Sequence, residues 1–545
     1  MKFLVFLNLC LISSLFSCKN NKTQADKIFY NAQIITVNDS LPKASTLIIK
    51  DGKILDIGDS SLLLKYYVSN DSNKIDVKQH YIYPGFIDAH CHFYGYANTK
   101  LSCNLVGTNS WEEVLNKLDS FSNTTPSAWL KGRGWDQNDW AIKDYPTNEK
   151  LNRLFPDRPV ILKRIDGHAA ICNQKALTLA GIDLETEIPG GEIEKKNGKL
   201  TGILVDNAVD IVEKIVLPPN TQDLLKVLKE TEKECFNLGL TTLADAGLDL
   251  NTCLLLDSLG NKNQLNIYLY MMLNPTYDGL RWAQENGILE NKHSKICSFK
   301  LYADGALGSR GAKLKNDYCD RDKHSGMLLH SVEYFNNWCG QIKTTTKYQV
   351  NTHCIGDSAN KLLLETYGKY LKGTNDERWR IEHAQVIDTA DFYLFKKYSI
   401  IPSVQPSHAT SDAPWAEHRL CNHRMKGAYA YKTLLNANNY LPLGTDFPVE
   451  YLNPVYTFYS AVYRKNANAP QQAAFQTQEM ISPIQALKGI TIWAAKACRL
   501  EHRKGSLAIG KDADFIIATK NLLIASEKEV LETKIIYTYS YGIKR

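Results

Sequence analysis

The sequence lacks several features that would assign it to a class at once. It has 13 cysteines but no CxxC pair, and setting aside Cys10 and Cys18 in the N-terminal segment leaves 11, an odd and scattered set. That pattern excludes a disulfide framework; such thiols serve mostly as small buried hydrophobes, with room for a stray bridge. No run of Lys and Arg is dense, because the net charge of +6 is spread thinly over 545 residues. Nucleic-acid binding and a basic membrane-surface patch are therefore not expected, and small-molecule chemistry is. There is no internal repeat and no low-complexity stretch. The N-terminal apolar run, Phe3 to Ser17, is too short for a stop-transfer helix.

With 44% apolar and 22% charged residues, the chain has the balance of a globular protein, too long for one ordinary domain. Lys2 followed by the apolar run reads as a secretory signal. It ends in Leu15-Phe16-Ser17-Cys18, which resembles the lipobox of bacterial lipoproteins, although Phe16 is larger than the usual residue there. Residues 1–18 are thus expected to be a signal peptide, Cys18 the lipidated first residue and 19–26 a polar tether. The other reading is an uncleaved N-terminal anchor. Both take the protein out of the cytoplasm, to the cell envelope as a periplasmic or outer-membrane lipoprotein, with membrane contact only through the anchor.

Residues 27–80 and 500–545 read as strands and turns. Thr46 to Lys50 and Lys53 to Ile57 flank Asp51-Gly52, a hairpin signal because both turn positions need positive φ. The two ends together predict one composite β-sandwich. Between them, at 81–499, short apolar strands alternate with helix-length segments, the pattern of parallel βα units. Eight are expected: Ile82 to His90, Thr241 to Ala246, Ile267 to Leu273, Ser298 to Ala303, Gln349 to His353, Arg378 to His383, Ile400 to Gln405 and Leu441 to Thr445. Eight such units close into a TIM-like (β/α)8 barrel of the α/β class. Residues 98–230 interrupt the first unit as an insertion, with a hairpin at Asn197-Gly198.

Chemistry-bearing residues gather at the strand ends. The first strand ends in His90-Cys91-His92, two imidazoles on one face and half of a divalent-metal site. The fifth ends in His353, the sixth in His383 and the eighth in Asp446. The fourth carries Lys300 between Phe299 and Leu301, so period-two alternation puts the amine on the opposite face from both. Lys300 must then pair with an acid such as Asp304 or be modified.

With the order HxH, Lys, His, His, Asp in place, the chain resembles the amidohydrolase superfamily, and within it the YtcJ-like or amidohydrolase-3 group that includes N-substituted formamide deformylase. The resemblance rests on Pro84 to His92, Gly132 to Asp136, Asp166 to Ala169, Asp304 to Arg310, His353 to Ala359, Glu382 to Ala384, Gly444 to Pro448 and Gly510 to Asp514, and spans roughly residues 27–520. Cys91 and Cys354 stand where such proteins often have other residues; they are read as spectators.

The resemblance implies that His90, His92 and Asp446 hold one metal and that His353 and His383 hold a second. A carboxylated Lys300 would bridge them. Zinc is the first choice, with iron, manganese or cobalt as alternatives. A metal lowers the pKa of bound water from 15.7 to about 7. The implied reaction is attack of the resulting hydroxide on a non-peptide amide, formamide or cyclic amide. Asp446 would shuttle the proton, His168 would orient the carbonyl, and Trp135, Asp136 and Arg310 would contact substrate. Two alternatives remain at this stage, a mononuclear deaminase-like hydrolase and a catalytically inactive lipid-anchored binding protein. A homodimer stays open.

Overall fold

A computed structural model describes residues 22–125 and 127–545. The expected signal peptide, with Cys18, and the start of the tether lie outside the described residues. Among those described, no helix is long and apolar enough to cross a membrane.

Seven parallel strands neighbour one another in chain order: Phe86–Cys91, Leu240–Leu248, Tyr268–Leu273, Ser294–Tyr302, Gln349–Cys354, Arg380–His383 and Ile401–Ser403. Phe299, Leu301, Val350 and Ile381 point outward into an apolar layer under the helices, as parallel strands covered by helices require. Leu441–Thr445, expected as the eighth strand, forms only one bridge, between Leu443 and Val404. It still closes the ring: Ala89 N donates to Leu443 O (3.2 Å), Gly444 N to Val404 O (3.0 Å) and Asp446 N to His90 O (2.8 Å). Two residues prevent a regular ladder. Pro442 has no N–H to give, and Gly444 passes so close to the first strand that a Cβ would lie 2.6 Å from His90 N.

The first strand, expected as Ile82 to His90, is two strands. Tyr81–Pro84 pairs with Phe515–Ala518 and Gln33–Ile35. Gly85 N still bonds Asp514 O, whereas Phe86 N bonds Gly239 O, and there the chain passes from one sheet to the other. A second sheet, in the order Lys53–Gly58, Thr46–Lys50, Lys27–Tyr30 and Lys74–Asp76, faces the first across a core of Phe29, Leu47, Phe515 and Tyr539. The Asp51-Gly52 turn has φ of 51° and 72°.

The inserted six-stranded sheet runs from Cys103 to Asp206 and includes the hairpin at Asn197-Gly198. Thr221–Asn237 begins inside the 98–230 insertion expected from the sequence and runs past its end, and it is a barrel helix. Its Leu224, Val227, Leu228 and Phe236 are in the barrel's apolar layer. Cys319 and Cys421 are bonded, and the nine other described cysteines are free and buried.

Candidate functional site

Alternation aims every second side chain of a barrel strand inward, so the strand ends can converge on one point. His90 and His92 do so from the first strand. Cys91 faces the other way, its thiol toward Ala244 O (3.5 Å), and Cys354 is in the same outer layer. Nδ1 of His90 lies 2.6 Å from Glu382 Oε2, and Nδ1 of His92 lies 3.0 Å from Ala246 O. Both partners can only accept, so each Nδ1 carries a proton and each Nε2 is the nitrogen turned into the site. Those two Nε2 atoms approach Asp446 Oδ1 at 3.5 and 3.1 Å. These three atoms converge, the Lys300 amine lies 3.1 Å from His90 Nε2, and Asp446 Oδ1 has no hydrogen-bond partner.

His383 and Asp446 have φ of 72° and 62°, in the left-handed region that such residues seldom occupy. Glu382 already takes the inward position on the sixth strand, so regular alternation would send His383 outward. The positive φ brings it back. Its Nδ1 lies 2.8 Å from Gln405 Oε1, and its ring centroid is 5.0 Å from that of His90 and 4.5 Å from that of His353. His353 Nε2 faces Gly305 O at 3.4 Å and Asp304 Oδ1 at 3.8 Å.

Lys300 is buried and points inward, its Nζ 3.1 Å from His90 Nε2. It does not pair with Asp304, whose carboxylate accepts the N–H groups of Ile355, Gly356 and Lys313 at 2.8–3.0 Å. Burial, ahead of every nearby charge, lowers the Lys300 pKa to about 8. Burial and then the Lys300 charge lower His90 to about 4. Burial also pushes His353 and His383 well below the usual imidazole range, so these rings are neutral. Asp446 goes the other way. Burial opposes its charge, but the closeness of His92 and the other imidazoles around it holds its pKa well below the usual carboxylate range.

His168 comes from the insertion. Asp206 projects its carboxylate between Gly305 and Gly311, where a Cβ on either glycine would meet Asp206 Oδ2 at 2.4 Å. Its Oδ1 lies 2.7 Å from His168 Nδ1, and the His168 ring is then 5.0 Å from that of His353. The remaining expected contacts are committed elsewhere. Trp135 is fully buried in the insertion core, its indole donating to Leu162 O at 2.8 Å. Asp136 pairs with Arg164, which also holds Asp166 at 2.5 Å. Arg310 pairs with Asp320 at 3.1 Å.

The sequence reading passed over three residues. Glu382 binds His90 and pairs with Arg380 Nε at 2.7 Å, thereby fixing the His90 tautomer. Arg380 and Glu382 on either side of Ile381 in a buried strand were the available signal. Asp206 positions His168. His408 stands three residues beyond Gln405, at the end of the seventh expected strand, and its Nε2 is 3.5 Å from Asp446 Oδ2.

One ligand atom from each of His90, His92 and Asp446 lies within 4.8 Å of the others, and the same holds for His383, His408 and Asp446. Imidazoles converging with an ionised carboxylate suit a divalent cation such as zinc.

The model of the amidohydrolase family matches residues 74–542. Protein LONG AFTER FAR-RED 3 of Arabidopsis thaliana is 31% identical over 95% of this chain and 91% of its own length. The putative amidohydrolase YtcJ of Bacillus subtilis is 30% identical over 94% of this chain and 99% of its own. A solved structure described as an uncharacterized metal-dependent hydrolase of Pyrococcus horikoshii has a TM-score of 0.74 at 25% identity, covering 92% of this chain and 99% of that one. The chain belongs to the amidohydrolase family.

Proposed function

We propose that this protein hydrolyses a C–N bond in a small non-peptide amide, formamide or cyclic amide. The observation that carries the reading is the convergence of His90 Nε2, His92 Nε2 and Asp446 Oδ1 at the barrel mouth, with Asp446 Oδ1 left without a hydrogen-bond partner. Such a cluster is stable only around a cation or a shared proton. The resemblance to the group that includes N-substituted formamide deformylase supports the amide and formamide classes.

His90, His92 and Asp446 would hold one zinc ion, His353 and His383 a second, and a carboxylated Lys300 would supply anionic oxygens to the pair. When bound, the metal makes hydroxide available at neutral pH and polarises the substrate carbonyl. The protein's residues do the rest. Asp446, ionised despite its burial, accepts a proton from water and returns it to the leaving nitrogen. His168, held by Asp206, orients the carbonyl oxygen. Lys300 near pKa 8 is partly a neutral amine at mildly alkaline pH, the form that captures carbon dioxide. Trp135, Asp136 and Arg310 are the residues that the family resemblance offers as substrate contacts, each already held by a protein partner.

The test is a panel of amides, formamides and cyclic ureides presented to protein purified with zinc and bicarbonate. Turnover of any class, abolished by chelation and restored by zinc, supports the reading; a metal-loaded protein inert to all of them sinks it. Lys300→Ala should lose activity and regain part of it with added short carboxylic acids. We further propose that Cys18 anchors the protein in the cell envelope. A Cys18→Ala chain should move to the soluble fraction or keep its signal peptide, and unchanged fractionation and maturation would refute the anchor.

A further inference from the structure

Two arginines on adjacent strands of the inserted sheet are treated oppositely. Arg164 is saturated: its guanidinium reaches Asp136, Asp166 and Gln137. Arg133, on Leu130–Trp135, is not. Its Nη2 donates to Ile165 O at 2.9 Å, while its Nε, shut off from water, has no partner. A guanidinium carries five N–H groups in a fixed fork, so most of these donors are uncommitted among the described residues. Burial, ahead of any charge, lowers the Arg133 pKa, and the carboxylates that oppose it are Asp166, Asp446 and Glu213. Each of the three is engaged elsewhere. Asp166 holds Arg164 and the His168 N–H, Glu213 holds Lys163, and Asp446 faces His90 and His92.

The strand itself aims Arg133 at the site. Strict alternation would put Trp135 on the same face as Arg133. A bulge intervenes, with Gly134 and Trp135 standing where the partner strand has Arg164 alone, and Trp135 packs with Leu130 in the insertion core. Arg133 is left on the other face at the strand's end, the kind of re-aiming that bulges produce. There its Nη1 lies against Gly167, 3.2 Å from where a Cβ would stand. The next residue is His168, whose ring is 5.0 Å from that of His353. We propose that Arg133 anchors the substrate by a carboxylate, so that the compounds hydrolysed are small amides or formamides carrying an acid group near the scissile C–N bond. The fork takes both carboxylate oxygens side by side. The acid supplies the partner that the protein withholds, and without it a desolvated charge stays uncompensated.

The inference rests on the amide-hydrolysis reading, and matched pairs of compounds separate the two. Zinc-loaded full-length protein is given N-formyl amino acids with small, aliphatic and aromatic side chains. Each is paired with the same compound bearing a neutral carboxamide in place of its carboxylate. Wild type should favour the acid of a pair by roughly 10–100-fold in kcat/KM, the range of a hydrogen-bonded charge. Arg133→Met, which keeps the length of the stem, should bring that ratio close to one, chiefly through KM. Arg133→Lys should restore part of it. Calorimetric binding of the same pairs reads the preference without turnover. A wild type indifferent to the acid group overturns the anchor. So does an Arg133→Met chain that is slowed on both members of a pair but keeps the preference, since Arg133 would then only prop the His168 loop. Pairs bound with the expected preference, lost in Arg133→Met, but never hydrolysed uphold the anchor and defeat the hydrolysis reading.

Discussion

Two ring clusters in this molecule have nearly the same spacing and opposite purposes. In the sandwich, Phe29, Phe515 and Tyr539 pack with centroids 4.6–5.0 Å apart. At the barrel mouth, His90, His353, His383 and His408 pack with centroids 4.5–5.8 Å apart. In the first cluster the contact itself is the stabilisation, since edge-on and offset aromatic faces need nothing further. In the second, each ring also carries a lone pair, and several have no protein donor to meet it. Close packing of histidines about a carboxylate is therefore a cost of folding that binding recovers, which links this region to ligand rather than to stability.

The comparison breaks first if the barrel cluster can lose its carboxylate without consequence. Asp446→Asn should fold and retain most of its metal, yet lose ~10²–10⁴-fold in kcat, because Asn ligates but cannot shuttle a proton. Near-normal progress curves would remove Asp446 from the chemistry. The converse substitution is Phe515→Ala. It should cost ~3–5 kcal/mol in urea unfolding while leaving kcat per folded molecule unchanged; a specific loss of kcat would mean that the sandwich reaches the site.

A subtler change sharpens the contrast by removing a hydrogen bond rather than a ring. Glu382→Gln keeps its volume but weakens the bond to His90 Nδ1, and metal affinity in competition with a chelator should fall ~10–100-fold. The smallest effect is electrostatic. Burial opposes charge on His168, but the Asp206 hydrogen bond and the charges of Asp206 and Asp166 outweigh it and raise the pKa. The resulting stabilisation is fully present below the unfolded value of about 6.5 and is lost as pH rises through the higher folded value. In Asp206→Asn the His168 titration followed by NMR should move to lower pH, and this increment of stability at acid pH should disappear. An unmoved titration would mean that Asp206 does not govern His168.

The barrel's strands were legible because their signal is local: an apolar run, an alternation and a polar residue at the end. Lys300 between Phe299 and Leu301 is the clearest case, and it does point inward. What was not legible depended on partners far along the chain. Nothing within Tyr81 to Cys91 says that Gly85 bonds Asp514 while Phe86 bonds Gly239. The closing segment has the residues of a strand, but its ladder is spoiled by Pro442 and by Gly444 pressed against His90. Trp135 and Arg310 stand out in the sequence as motif members, and only the fold reveals their partners, the Leu162 carbonyl and the Asp320 carboxylate. His408 gives no such local signal, because it lies on the helix Pro406–Asp412 beyond the end of its strand.

The strand that leads into the first pair of histidines also sets a schedule for synthesis. Tyr81–Pro84 must wait for Phe515–Ala518, and the Tyr83 hydroxyl bonds Lys520 O across 437 residues of chain. At ribosomal speeds of about 5–20 residues per second, that partner emerges roughly 20–90 s later. Throughout that interval Ile82 and Tyr83, both fully buried at the end, have Gln33–Ile35 on one side but nothing to pair with on the other. The nascent chain therefore presents an unpaired apolar edge directly beside its future ligand residues, a natural point of engagement for a holding chaperone. A premature stop anywhere before residue 515 would leave the segment that positions His90 and His92 permanently without its neighbour.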